Sequence, residues 1–278
     1  MNKKILIMIV FCLSAIGMTA SAQDYSWRLS LMDGGRTGCV SAAKDNVPQS
    51  MGAVYDGVYY SPSGNVFGPT TATSKVAQLV IGAQPRMTYV KDVIAFAPEA
   101  MTLEYPESSL SNWYVDIIME KVAELSGKKI DMGLCNFGGI RAEIPQGKVI
   151  LDDILSMFPF DNNLYYVEIY GRDLRKLFDE MAERKLIEVV GGVKVVAEGK
   201  KIVSVHVGGQ PLEDDRLYSV ATISFLYKGG DNIVLSGISL NPQSYDVLIR
   251  DAVLEHVHAL TAAGKNIEYE KDERVVVR

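Results

Sequence analysis

The residues Asn136-Phe137-Gly138-Gly139-Ile140-Arg141 place an amide, two adjacent glycines and a guanidinium in one short turn. Adjacent glycines let the backbone approach a ligand closely, and an arginine beside them suits an anion. Two more stretches have a similar character. In Phe158-Pro159-Phe160-Asp161-Asn162 the proline sets the angle at which Phe160 leaves the chain, and Phe225-Leu226-Tyr227-Lys228-Gly229-Gly230-Asp231 joins an aromatic to a tight turn and an acid. Two aromatics on separate loops can sandwich a flat ring, at about 1–3 kcal/mol per stacked base. A carboxylate accepts hydrogen bonds from both hydroxyls of a sugar diol, and an asparagine offers a donor and an acceptor to a heterocycle edge. Each group alone has a plainer explanation. Arg141 can tie a loop through a salt bridge, Phe160 and Phe225 can be core residues, and Gly229-Gly230-Asp231 can be a simple turn. Their coincidence in three loops points to a small-molecule binder.

Common catalytic signatures are missing. The sequence has no G-x-x-x-x-G-K-[ST] phosphate loop, no G-x-S-x-G elbow and no H-E-x-x-H pair. Of its three histidines, His256 and His258 lie two apart on an expected helix and point to different sides, while His206 sits in an alternating strand. The pairs Asp152-Asp153 and Asp214-Asp215 fall at helix starts or turns, where carboxylates cap or stay solvated. No catalytic and no metal-ligating residue is therefore assigned in this chain.

The elements that must hold these loops are readable from residue 107 onward. Ser108 or Ser109 can cap a helix in which Leu110, Trp113, Tyr114, Ile117, Ile118, Val122 and Leu125 recur at helical spacing until Gly127. Ile130 to Cys135 reads as a buried strand leading into the Asn136 turn. Strands are expected at Lys148–Leu151, Leu164–Tyr170, Leu217–Phe225 and Arg274–Val277, with Val189–Val207 a hairpin turning at Glu198-Gly199-Lys200. Helices are expected at Asp152–Phe158, from Gly171 through Met181, and from Tyr245 to Ala262. Interleaved strands and helices with one antiparallel hairpin imply a mixed-sheet α/β or α+β domain. Residues 23–92 are rich in Gly, Ser, Thr, Pro and Asn, with short strand-like runs and no long amphipathic period.

Lys3 and Lys4, an apolar run from Ile5 to about Met18, and Ala20-Ser21-Ala22 form a secretory signal-peptide pattern cleaved near Ala22. The run is shorter than the roughly 20 residues of a spanning helix, so stable membrane insertion is not expected and export to the periplasm or beyond is. Cys12 follows Phe11, where a lipidation site would place a small residue. Without the two leader lysines the net charge of −6 becomes −8, which argues against nucleic acid as a partner. Cys39 and Cys135 then remain. They can pair in an oxidising compartment, but their separation does not decide it, and neither lies in a metal or redox spacing.

Taken in order, Asn136 to Arg141, Ile144-Pro145 with Gly147, Phe158 to Asn162, and Phe225 with Gly229-Gly230-Asp231 resemble the C-terminal domain of 5′-nucleotidases. Glu107-Ser108 with Leu110 and Asn112 is similar to that domain's opening helix. The resemblance covers residues 93–278 and implies a four-layer α-β-β-α domain with two sheets between helices. It further implies that Phe160 and Phe225 stack on a base and that Asn136 meets the base edge beside Gly138 and Gly139. Asp231, after Gly230, would hold the ribose, and Arg141 would steady ribose or phosphate. Phe137 stands where the family often has glycine, and would narrow the pocket or contact the base. Tyr105-Pro106 stands where some relatives carry an arginine. Whole family members begin with a metallophosphoesterase domain whose side chains hold two metals that activate water, and nothing in this sequence matches that half. The expectation is thus the nucleotide- or nucleoside-binding half of a split, exported 5′-nucleotidase. Divalent metals and hydrolysis would reside in a separately encoded metallophosphoesterase. The alternative is a stand-alone nucleotide or nucleoside binder.

Overall fold

The computed structural model describes residues 46–278, so the leader pattern, its boundary at Ala22, and Cys39 with its pairing lie outside the described residues. The chain opens with helix α1 (Val47–Met51) and an antiparallel sheet of β1 (Ala53–Tyr55), β2 (Val58–Tyr60) and β3 (Val66–Phe67). Helix α2 (Ala72–Ala83) follows, capped by Thr71, whose side chain accepts from the Ser74 N–H at 3.2 Å. No amphipathic period announces α2, because its inward contacts are polar. The Ser74 hydroxyl and the Gln78 amide both donate to the Gly57 carbonyl, while Val76, Leu79 and Val80 are exposed.

Strand β4 (Val93–Ala97) leads to helix α3 (Ser109–Ser126). Its start is the expected one, Ser108, but the capping box closes through a second serine. The Ser111 N–H donates to Ser108 Oγ at 3.0 Å, and the Ser108 N–H to Ser111 Oγ at 2.9 Å. Gly127 ends the helix at φ 65°. The expected inward side chains from Leu110 to Val122 are buried, with Leu125 at the margin of the same core.

The next elements are β5 (Met132–Cys135), β6 (Gly147–Ile150), α4 (Leu151–Met157), β7 (Asn163–Tyr170), α5 (Gly171–Glu183) and β8 (Val189–Gly191). They are followed by β9 (Val193–Glu198), β10 (Lys201–Val207), β11 (Gln210–Pro211), β12 (Leu217–Ile223) and α6 (Ser224–Tyr227). Last come β13 (Ser239–Leu248), α7 (Ile249–Ala262) and β14 (Val275–Val277). The main sheet has the order β13-β7-β12-β5-β8, with β12 and β5 parallel and the other pairs antiparallel. A second sheet, β11-β10-β9-β14, adds the tail as a parallel edge on β9, and β4 pairs with β6. The domain is therefore the mixed α/β type expected. Helix α3 lies along β5, β7, β8 and β12 and packs on α7, whereas α5 touches both β7 and β10.

Two differences from the expected boundaries have clear causes. Residues 245–248 extend a strand instead of opening a helix, because Gln243, Ser244 and Tyr245 pair with Tyr166, Tyr165 and Leu164 on β7. Strand β12 stops at Ile223, and the single helical turn of α6 sends Leu226 into the core and Phe225 outward. The switch between sheets at residues 191–192 needs glycine. A Cβ on Gly191 would lie 2.6 Å from the Met119 sulfur, and Gly192, at φ +70°, would bring one to 2.5 Å from the Asp131 carbonyl.

The tail is tied down by a buried carboxylate. Glu107 accepts the backbone N–H groups of Glu273, Arg274 and Val275 at 2.8, 2.7 and 3.2 Å. Arg274 in turn reaches Asp116 on α3 at 2.9 Å and Asp272 at 2.8 Å. Glu107→Ala leaves three donors without a partner and is expected to destabilise the protein by about 3 kcal/mol, measured by urea unfolding. Proteolysis of the variant should begin in the freed β14 segment.

Candidate functional site

The three loops singled out in the sequence meet because of strand direction. In the parallel pair, Val220 faces Met132 and Ala221 faces Gly133, so β5 and β12 end at the same edge of the sheet. Strand β7 begins at that edge, with Leu164 opposite Ile223, and so does β8, with Val189 opposite Cys135. The Asn136 turn, the Phe160 loop and the Phe225–Asp231 loop therefore share one rim, the position where open α/β sheets place ligands.

That rim encloses a cavity of about 340 Å³, lined by Asn136, Gly138, Gly139, Arg141, Phe160, Asp161, Asn162, Phe225 and Asp231. Seven of the eight predicted residues face it. The eighth, Gly230, lies beneath the Phe225 ring, where a Cβ would come within 2.3 Å of a ring carbon. Phe160 and Phe225 are 42% and 40% exposed, so neither serves as a core residue. A second cavity of about 250 Å³ lies between residues 98–101 and 267–270, but Glu99, Glu268 and Glu270 line it and no aromatic pair does.

A hydrogen bond joins two of the loops: Asn136 Nδ2 donates to Asp231 Oδ2 at 2.6 Å. Because a carboxylate only accepts, this bond fixes which way the amide points. The Asn136 Oδ1 is buried without a hydrogen-bond partner among the described residues. A Cβ on Gly139 would sit 2.8 Å from that oxygen, so glycine is what lets the turn fold over the amide. Asp231 itself adopts φ 51°, ψ 31°, a left-handed conformation that Asp tolerates better than most residues.

Arg141 is exposed, with its guanidinium carbon 5.1 Å from the Phe160 ring centre, and no carboxylate pairs with it among the described residues. The loop-tying salt bridge considered for it is absent there. Its loop is secured through the backbone, since the Arg141 N–H donates to the Met157 carbonyl at 2.9 Å. Arg250 instead pairs with Asp161 at 2.8 Å. Phe137 does not line the cavity. It is half-buried, packs edge-on against Tyr105 at 5.9 Å, and donates its N–H to Glu188 Oε2 at 2.9 Å.

Sequence reasoning missed Glu188 and Arg184. Glu188 is 2% exposed, and an acid between Ile187 and Val189 at the head of a buried strand was the available signal. Arg184, at the end of α5, donates to the Asp231 carbonyl at 2.6 Å, a contact that sequence spacing does not encode. The acid pairs behave as caps and surface partners: Asp153 accepts the Ile150 N–H, and Asp214 and Asp215 pair with Arg175 and Arg172. Burial pushes the Cys135 thiol up to about 12, and His256 packs edge-on against Trp113. Among the described residues no three His, Cys, Asp or Glu side chains group to hold a metal ion, and no helix is long and apolar enough to cross a membrane.

The model of the 5′-nucleotidase C-terminal domain matches residues 81–237, more than half of the chain. The chain belongs to this family. It is 30% identical over 113 residues to protein UshA of Yersinia enterocolitica, covering 39% of this chain and 20% of that one. It is 26% identical over 192 residues to the NAD 5′-nucleotidase of Haemophilus influenzae, covering 59% and 31% respectively. Among solved structures, the 5′-nucleotidase precursor of Thermus thermophilus superposes with a TM-score of 0.63 at 24% identity, over 79% of this chain and 48% of that one. This 5′-nucleotidase C-terminal domain protein thus spans about a third or less of those curated relatives and about half of the solved structure.

Burial pushes the Glu188 carboxyl above the usual range and the nearby Asp231 adds to this, while the Phe137 N–H and Arg184 oppose it. The folded state therefore disfavours the charged form, so this contribution to stability is largest below about pH 4 and is lost as pH rises through the folded-state value. Glu188→Gln removes that dependence. The melting temperature of the variant relative to the parent is expected to rise between about pH 4 and pH 7 in thermal scans.

Proposed function

We propose that this protein binds the nucleoside part of a nucleotide between Phe160 and Phe225, as the substrate-binding half of a split, exported 5′-nucleotidase. The observation that carries the reading is two half-exposed rings on separate loops lining one cavity together with Asp231 and Arg141, which has no carboxylate partner among the described residues. The cavity volume lies within the range of small-ligand sites. In this reading the base stacks on the rings, the Asp231 carboxylate accepts the ribose hydroxyls, and Arg141 meets the phosphate at the open mouth. The glycine backbone at residues 138 and 139 lets the ligand lie close to the turn. A separately encoded metallophosphoesterase, with its own divalent metals, carries out phosphomonoester hydrolysis over the Arg141 face. The names of similar proteins, which include an NAD 5′-nucleotidase and an apyrase, support nucleotide catabolism as the setting.

Calorimetric titration of the purified protein with AMP tests the binding. Phe160→Ala or Phe225→Ala is expected to weaken affinity by roughly 5- to 150-fold, corresponding to about 1–3 kcal/mol per stacked base. Unchanged affinity in both variants refutes the cavity assignment. Incubation of the protein alone with AMP and Mg²⁺ or Mn²⁺ is expected to release no phosphate. Turnover above background refutes the division of labour but not the binding site.

A further inference from the structure

The segment 184–188, which contributes no residue to the cavity lining, holds both binding loops. Arg184 Nη1 donates to the Asp231 carbonyl at 2.6 Å, and Glu188 Oε2 accepts the Phe137 N–H at 2.9 Å. The Asn136–Asp231 bond closes the circuit at 2.6 Å. Neither Arg184 nor Glu188 lines the cavity. The segment itself is anchored, because the Lys185 N–H donates to the Ala182 carbonyl, the Leu186 N–H to the Met181 carbonyl, and the Ile187 N–H to the Tyr105 hydroxyl at 3.1 Å.

We infer that Arg184 is a positioning residue for the sugar side of the site, an assignment that rests on the nucleoside-binding reading above. Asp231 occupies a left-handed backbone conformation immediately after Gly230, followed by Asn232 at φ 58°, in a turn closed by the Ile233 N–H donating to the Gly230 carbonyl at 2.9 Å, with Asn136 holding the carboxylate. The guanidinium on its carbonyl restrains the backbone of Asp231 itself, while the carboxylate accepts from Asn136 and lines the cavity. Glu188 does the same for the Asn136 turn, through the backbone N–H of the next residue. Arg184 thereby governs discrimination by the sugar hydroxyls, and Glu188 governs the placement of the turn as a whole.

The test is titration of the full chain with the four ribonucleosides and their 2′-deoxy forms, beside circular dichroism and melting curves. The parent is expected to favour the ribose forms. Arg184→Met should lower ribonucleoside affinity by roughly tenfold and 2′-deoxynucleoside affinity, which keeps only the 3′-hydroxyl contact, by less, so that the ribose preference narrows. Because the Arg184 side chain lies at the surface, its melting temperature should stay close to that of the parent. Arg184→Lys, which keeps a cationic donor, should recover part of the preference. Glu188→Leu should weaken both sugar forms alike. A folded Arg184→Met protein with the full ribose preference overturns the inference and leaves the binding site standing. A parent that binds no nucleoside overturns the reading beneath it, and an Asp231→Ala variant that keeps the ribose preference overturns both roles assigned at that turn.

Discussion

The parallel pairing of β5 with β12 is the constraint on which the site depends. Two neighbouring strands running the same way must finish at the same edge, so whatever follows Cys135 lies beside whatever follows Ile223. The antiparallel neighbours β7 and β8 start at that edge, which adds Phe160 on one flank and Glu188 on the other. Four chain segments far apart in sequence are thus brought together by a few backbone pairings. The buried Thr222 hydroxyl strengthens this seam by donating to the Leu134 carbonyl at 2.8 Å, one step before both loops depart. A slip of register there would turn every side chain of β12 to the opposite face and separate Phe225 from Asn136.

Given that seam, the local detail follows from sterics. Three of the glycines at the rim have different jobs. Gly139 makes room for the Asn136 amide, Gly230 makes room for the Phe225 ring, and Gly229, at φ +104°, turns the chain so that Asp231 can return toward the amide. The hydrogen bond between Asn136 and Asp231 then joins the first and third loops, while Arg250 steadies the second through Asp161. A site held this way is preorganised by its backbone, which limits the ordering cost that a ligand must meet on binding.

Much of this was legible in the sequence, and the reasons differ by element. Helix α3 was readable because its apolar period, its serine cap and its terminal glycine agree. The three loops were readable as one cluster, with seven of the eight residues named from them lining one cavity, because loops rich in Gly, Pro and aromatic residues carry local chemistry that survives without knowledge of the fold. Helix α2 was not readable, since its contacts with the small sheet are made by Ser74 and Gln78 and its apolar side chains face outward. The start of α7 was misplaced because Tyr245 and Val247 suit either a helix or an edge strand, and only the presence of β7 decides between them. Arg184 was invisible for a related reason: its partner is a backbone carbonyl 47 residues away, and no side-chain pattern marks a carbonyl.

The distribution of binding groups also bears on how such a domain can contribute to catalysis. Stacking on two rings and hydrogen bonding to a diol act on parts of a nucleotide that do not change during phosphoester cleavage. Binding of that kind is the same in ground state and transition state, so by itself it tightens the complex without speeding the chemical step. It becomes useful when it fixes the position of the phosphate against a catalytic group elsewhere, because orientation can replace several kcal/mol of the entropic barrier. Arg141 is the side chain placed to link the two tasks: it is exposed at the mouth, unpaired among the described residues, and braced against the Phe160 ring. On the proposed reading, its cation would meet the phosphate of a nucleotide whose base is stacked at the rings. On that reading the domain acts as a clamp with a charged lip, and its value to hydrolysis would lie in where it holds the phosphate.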